Sequence, residues 1–441
     1  MKNRNFIRHV SLLTAMLIMV GSLAGCGNSS TGQNSSQGSG GQSGSPQASK
    51  ITVLLPQNEM DTVGFMKKKT QDFEKETGIQ VELINMSWDN VADKVTTEMT
   101  AGGNSYDVIE FDNSWVSKFR ANKWIVPLDS YMTSDMKSDI IPGLLKIFTA
   151  GNSVYGIPWN NDTRFFMYNQ KKLTDAGIQQ PPKTWDELTE DSKILQKKGL
   201  VKYGYIDSYA QAQALTNELT YMVYSFGGDY LDNSGKPTAT GTAVSDAYRF
   251  LQKAINVDKI VDPASMTSDQ ENAATVFCQG DTAFFLQAWA GVYSQANTAG
   301  SSKVVGQIAV APYSVGKDGN THVVLSLPEA MAIPSTSKNK DAAWKYIAYM
   351  SSKTFDKDKA LAIGALPIYS TTFGDAEVLK KYPYWENFGK QSQYAKGLGQ
   401  ILWYDQFSTA VQAESQKILL NEETTSAGLS SLQDKLTKIS Q

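Results

Sequence analysis

Ile51-Thr52-Val53-Leu54-Leu55, Gln80-Val81-Glu82-Leu83-Ile84 and Tyr106-Asp107-Val108-Ile109-Glu110-Phe111 lie in one stretch of about sixty residues, and its reading decides the fold. The first run is apolar without alternation, as in a strand buried on both faces. Between the first and second runs Phe65 and Phe73 share a helical face, and Gly78 follows it where a helix takes a left-handed cap. Between the second and third, Val91, Val95 and Met99 recur every four residues and Gly102-Gly103 ends the pattern. Strand, helix, strand, helix, strand predicts a parallel α/β sheet with right-handed crossovers.

Outward from that stretch, Pro181-Pro182 breaks the chain and Thr184-Trp185-Asp186-Glu187 reads as a capping box, with a helix running to about Gly199. Ala243 to Ile255, Glu271 to Phe277 and Asp341 to Met350 are expected helices, Ala283 to Leu286 and Val304 to Val310 expected strands, and the chain from about Gln406 is mostly helical. Trp185 and Trp344 fall on helix faces and are assigned to the core. About 390 residues beyond position 50 exceed one ordinary core and suit two lobes.

The N-terminus carries Lys2, Arg4 and Arg8, an apolar stretch from Val10 to Val20, and Leu23-Ala24-Gly25-Cys26. That order is a secretory leader with small residues at the cut. The stretch is too short to span a bilayer. A small-residue run ending in Cys is similar to the lipobox of bacterial lipoproteins, which implies a diacylglyceryl group on Cys26. Two acyl chains hold a protein stably where one does not. Residues 1–25 are therefore expected as leader and 26–50 as a lipidated, flexible linker of Gly, Ser, Gln and Asn, reaching roughly 25–30 Å.

The formal net charge is −3, and the leader carries three of the cations, so the remainder is more acidic still. No electrostatic footprint for nucleic acid exists. Cys278 is left without an intrachain partner if Cys26 is lipidated, and reads as a small buried thiol. The only histidine beyond the leader, His322, reads as a loop or strand-end residue. One histidine and no Gly-x-Ser-x-Gly elbow argue against a serine triad; His-Glu-x-x-His and the phosphate-binding Gly-rich loop are absent. Glu110, Asp112, Asp162 and Glu329 are carboxylates that a glycosidase would need, but no acid–nucleophile pair stands out. No cofactor or metal is expected.

Five further segments carry a resemblance. They are Phe73 to Val81, with Glu-Lys-Glu-Thr-Gly; Ala101-Gly-Gly-Asn-Ser-Tyr-Asp-Val108 leading to Trp124-Ile-Val-Pro-Leu-Asp129; Tyr155-Gly-Ile-Pro-Trp-Asn-Asn-Asp-Thr163 with Tyr168-Asn169, Ala176-Gly177 and Pro181 to Leu188; Phe277-Cys-Gln-Gly-Asp-Thr-Ala283 with Trp289; and Ser337-Lys-Asn-Lys-Asp-Ala-Ala-Trp344. In this order over nearly all of 51–441 they resemble the extracellular solute-binding proteins of ABC importers, the sugar-binding family that includes maltose-binding protein. The lipid anchor is the usual Gram-positive form of that family.

The resemblance implies two hinge-linked α/β lobes of the periplasmic-binding-protein type (type II), with 51–160 and 313–360 in one and 161–312 and 361–441 in the other. It implies a ligand cleft between them, a carbohydrate ligand, an ABC permease as partner, a monomer, and a place on the outer face of the cell membrane. Where the family pattern often shows Gly-Gly this chain has Leu327-Pro328-Glu329, which leaves that wall of the cleft open. A polyamine, a metal or another small solute in the same fold, and a lipid-anchored glycan hydrolase, remain as alternatives.

Sugars present C–H faces to aromatic rings and hydroxyls to carboxylates and amides. In open α/β sheets such groups gather at the carboxyl ends of strands, which points to Asn58 after the first strand and to Asp112, Asn113 and Trp115 after the third. The resemblance adds Trp159, Asp162, Trp289, Trp403 and Tyr404; loop position adds Tyr209 and Glu329. The structural alternatives are core or hinge packing for Trp115, Trp159 and Trp289, a turn cap or a pair with Arg164 for Asp162, and turn roles for Asn58, Asp112 and Asn113. Of Trp403 and Tyr404, one is expected in the cleft and one in the core.

Overall fold

The computed structural model describes residues 50–57, 61, 63–86 and 88–441. The leader, Cys26, the linker up to residue 49 and Asn58 lie outside the described residues. Among those described, no helix is long and apolar enough to cross a membrane.

The eight strands of the two larger sheets are β1 (Lys50–Pro56), β2 (Gln80–Met86), β3 (Val108–Asp112), β4 (Ile157–Asn160), β5 (Phe165–Asn169), β6 (Phe284–Ala288), β7 (Ile308–Val310) and β8 (Glu329–Ala332). β1 pairs in parallel with β2 and β3, and its Ile51, Val53, Leu54 and Leu55 have no exposed surface, because helices cover both faces. The helix Phe65–Thr77 buries Phe65 and Phe73 and stops at Gly78, whose φ of 71° and N–H bond to the Glu74 carbonyl make the left-handed cap. The helix Trp88–Thr100 buries Val91, Val95 and Met99.

The sheet is not parallel throughout. Its order is β2-β1-β3-β8-β4, and β8 runs antiparallel to both neighbours. The chain re-enters this sheet from the other half of the molecule and so arrives from the opposite end. The second sheet, β6-β5-β7, is antiparallel. The strand expected over Val304 to Val310 is confined to its last three residues, because Val304–Gln307 turns through Gly306 at φ 73°.

Each sheet has its own core. Phe73 meets Tyr346 edge-on at 5.2 Å beneath the first. On the second, Trp185, Leu219, Tyr248, Leu251 and Leu432 pack together. The Thr184 capping box is formed in both directions. Trp344 is only half-buried, stacked on Tyr131 at 5.3 Å. Cys278 is a buried free thiol, pushed up to about 11 by its burial. His322 donates from Nδ1 to the Ser314 carbonyl at 2.8 Å and stacks on Tyr313.

Between the sheets the chain crosses from β4 to β5 and back from β7 to β8. The two crossing segments pair: Arg164 N–H donates to the Leu325 carbonyl and Leu327 N–H to the Asp162 carbonyl, each at 2.8 Å. Asn161 Nδ2 in the first of them also donates to the Pro367 carbonyl at 2.8 Å, in a later stretch of the chain that follows the helix Lys353–Ile363.

Candidate functional site

The carboxyl end of β3 supplies the first wall. Asp112 caps the turn that follows, its Oδ1 accepting from Ser114 N–H at 2.8 Å and Ser114 Oγ at 2.6 Å. That turn sets Asn113 beside it, buried, with Nδ2 donating to Asp112 Oδ2 at 3.3 Å and Oδ1 without a partner. Glu110, two residues back on the same face, is fully buried; Oε2 accepts from Trp159 Nε1 at 3.1 Å and Oε1 has no partner. Glu329 stands directly across the ladder from Asp112 and accepts from Asn160 Nδ2 at 2.9 Å. Burial, and then the Glu329 charge, hold the Glu110 carboxyl well above the ordinary carboxylate range. Burial pushes Asp112 up to about 6, only partly offset by its Ser114 bonds. Lys359 is buried behind this wall, where it donates to the Trp159 carbonyl; desolvation lowers its pKa against the pull of Asp356 and Glu329.

The crossing segment supplies the floor. Arg164 holds Asp162 through Nε at 3.1 Å and Nη2 at 2.5 Å and reaches Gln270 at 3.4 Å. Its guanidinium lies 5.3 Å from the Trp289 ring centroid. Trp289 follows β6 as the cap of the helix Ala290–Ala296 and meets Phe285 edge-on at 6.4 Å. Behind Arg164, Asp207 and Glu218 are buried together, and desolvation raises both against the favourable guanidinium charge.

These walls enclose a cavity of about 380 Å³, within the range of small-molecule sites, with residues of both sheets in its lining. Of the residues singled out in the sequence, Asp112, Asn113, Trp159, Asp162, Trp289 and Glu329 line it. Trp115 and Tyr209 do not. Trp115 stacks on Phe119 at 5.3 Å in the core, and Tyr209 is fully buried with its hydroxyl 3.4 Å from Asp207 Oδ2. Tyr404 is buried one layer back, accepting from the lining residue Gln213 at 3.0 Å, while Trp403 is half-buried and edge-on to Phe407. Neither of that pair is in the lining. Gln57, Arg164, Asn217, Gln270 and Glu271 line the cavity and were not singled out. Gln57 follows β1 at its carboxyl end, so the strand-end rule that pointed to Asn58 also covers it.

Bonds also span the two halves beside the cavity. Lys118 Nζ lies 2.6 Å from Asp405 Oδ2, Gln400 Nε2 donates to the Asn113 carbonyl at 2.7 Å, and Ser117 Oγ to the Gln400 carbonyl at 3.1 Å. Among the described residues no group of three or more His, Cys, Asp or Glu is placed to hold a metal ion.

Residues 58–355 match the profile of the bacterial extracellular solute-binding proteins. A probable amino-acid ABC transporter periplasmic-binding protein of Sinorhizobium fredii is 26% identical over 332 residues, 72% of each chain. The diacetylchitobiose-binding protein of Streptomyces coelicolor is 24% identical over 353 residues, 79% of each. In structure, maltose-bound MalE3 of T. maritima superposes with a TM-score of 0.81 at 24% identity, covering 89% of this chain and all of that one. The fold is thus the two-lobe fold of ABC-importer binding proteins.

Proposed function

The chain belongs to the bacterial extracellular solute-binding proteins, and on that premise we propose that it captures a carbohydrate, an oligosaccharide, in the cavity between its lobes and delivers it to an ABC permease. The observation that carries the reading is the make-up of that cavity: two indoles, Trp159 and Trp289, beside the carboxylates and amides of Asp112, Asn113, Asp162 and Glu329. Indole faces suit sugar C–H surfaces and the acceptors suit hydroxyls. Maltose in the superposable structure and diacetylchitobiose in the named relative support the ligand class.

The lobes are placed at 51–160 with 313–360 and at 161–312 with 361–441; the membership of β4 and β8 in one sheet and of β5, β6 and β7 in the other supports this division. A ligand touching both would favour the closed arrangement and so report loading to the permease. The protein acts as a monomer outside the cytoplasmic membrane, tethered through Cys26. Family membership supports a binding protein rather than a hydrolase.

A thermal-shift screen over mono- and oligosaccharides tests the function, since a ligand that binds only the folded state raises the melting point. A sugar that does so without being cleaved is the expected result; cleavage of the sugar, or no response to any sugar, overturns it. For the tether, Cys26→Ser is expected to lose metabolic labelling by a fatty-acid analogue, and undiminished labelling refutes it.

A further inference from the structure

The first wall of the cavity places like charges against one another. Asp112 and Glu329 are partners across the β3–β8 ladder, which sets their Cβ atoms about 4.5–5.5 Å apart on one face of the sheet. Glu110 lies two residues behind Asp112 on that face. Like charges directly opposite one another destabilise a sheet, so the sequence keeps here an arrangement that folding alone disfavours. Among the described residues of the lining, the carboxylates of Asp112, Asp162, Asp269, Glu271 and Glu329 stand with one guanidinium, and the Lys359 ammonium that pulls on Glu329 is buried behind the wall. That guanidinium, Arg164, is already engaged by Asp162, Gln270 and the Trp289 ring.

A second observation is independent of charge. Asn113 is 1% exposed and lines the cavity, yet its Oδ1 has no partner. Its amide orientation is fixed, because the Nδ2 end must face the Asp112 carboxylate. Glu110 Oε1 is likewise a buried acceptor without a donor. Buried polar groups without partners are rare and call for a ligand or water to satisfy them. The vacant Asn113 oxygen at the cavity is an acceptor, so what satisfies it must donate.

We propose that the sugar taken by this cavity carries a protonated amine, seated against Asp112, Glu329 and Asn113 at the end of the first sheet. The proposal rests on the carbohydrate reading and narrows it. An ammonium group brings three donors and a positive charge in one compact unit. It relieves the Asp112–Glu329 repulsion and satisfies Asn113 Oδ1, which a neutral hydroxyl with one donor cannot do together. An anionic sugar, a uronate or a phosphate ester, is disfavoured by the same wall. The groups facing Asp112 are Glu110, Glu329, Asp162, Ser114 and the Tyr404 phenol, with Lys359 buried behind Trp159.

The test is calorimetric titration of the purified chain with matched sugars that differ only at C2. These are the 2-amino, 2-acetamido and 2-hydroxy forms of glucose and galactose and of their 1,4-linked dimers, with putrescine as a sugar-free amine. In the series that binds, the amino form is expected to bind about tenfold tighter than the hydroxy form, the worth of one charge-assisted hydrogen bond. That preference is expected to shrink as added salt rises and as pH falls through about 6, where Asp112 takes up a proton. Asp112→Asn and Glu329→Gln are each expected to weaken the amino form by about tenfold more than the hydroxy form, so that the preference between the two is lost; the salt and pH series on the unaltered chain serve if a variant misfolds. Equal or tighter binding of the hydroxy form overturns the amine and leaves the carbohydrate function standing. Putrescine binding with no sugar binding overturns both, and failure of every amino sugar to bind overturns the proposal whatever the neutral sugars do.

Discussion

Replacing Asp112 by Asn should make the unliganded protein more stable and a poorer binder at once. Asp112 is 7% exposed, and its carboxyl is pushed from an ordinary 3.8 to about 6, first by burial. Keeping it ionised at neutral pH therefore costs the folded state about 3 kcal/mol. Asn retains an oxygen for the Ser114 N–H and Oγ but turns an N–H toward Asn113 Nδ2, where the carboxylate accepted at 3.3 Å. That donor–donor contact returns about 1 kcal/mol of the gain, leaving a net stabilisation of about 2 kcal/mol at pH 7. The sign follows from the direction of the shift. A carboxyl raised by folding favours the folded state below its ordinary 3.8, and that advantage is lost as pH rises through about 6. The variant lacks this loss, so the gap between variant and wild type should open between about pH 4 and about pH 7. Urea unfolding of both proteins, stripped of bound ligand by unfolding and refolding, measures it at each pH. A variant less stable than wild type at pH 7, or a gap that does not change with pH, would show that Asp112 is not held ionised at a cost.

Other outcomes follow from the same geometry. Trp289→Ala should cost about 1–3 kcal/mol of sugar affinity through lost stacking, measured by calorimetry; it also removes the ring face beside the Arg164 guanidinium, so the loss should exceed that of Trp289→Phe. Gln400→Ala removes the bond to the Asn113 carbonyl without touching the cavity lining, and should raise the ligand dissociation rate several-fold in stopped-flow fluorescence while the association rate is kept. Gly316→Ala places a Cβ 1.7 Å from the Thr321 carbonyl oxygen, which is backbone and cannot yield locally; a loss of about 1–3 kcal/mol is expected in denaturant unfolding, with affinity per folded molecule unchanged.

The parts of this molecule written in local pattern were legible in its sequence. The apolar run of β1, the four-residue spacing of Val91, Val95 and Met99, and the Thr184 capping box each depend on residues a few positions apart. The strand-end rule found Asp112 and Asn113 for the same reason. The pairing of β8 between β3 and β4 was not legible, because nothing near Glu329 specifies partners more than 150 residues away. Without that register the opposition of Asp112 and Glu329 could not be seen, nor could Gln270 and Asn217, which reach the cavity from distant helices. Trp115 and Tyr209 failed as lining residues because an aromatic near a strand end or in a loop is also a good core residue. Phe119 and the Asp207–Glu218 pair claim them.

The insertion of β8 between β3 and β4 also sets the order in which the molecule can be completed. β3 ends at Asp112 and β4 at Asn160, yet the strand that pairs with both begins only at Glu329. Until that segment is available, β3 and β4 each present an open edge, the kind of edge on which chains aggregate. Contacts of such long sequence separation slow folding. The Asp112–Glu329 wall cannot exist before that pairing is made, so ligand binding reports a finished fold: a molecule truncated before residue 329 lacks one wall of the cavity.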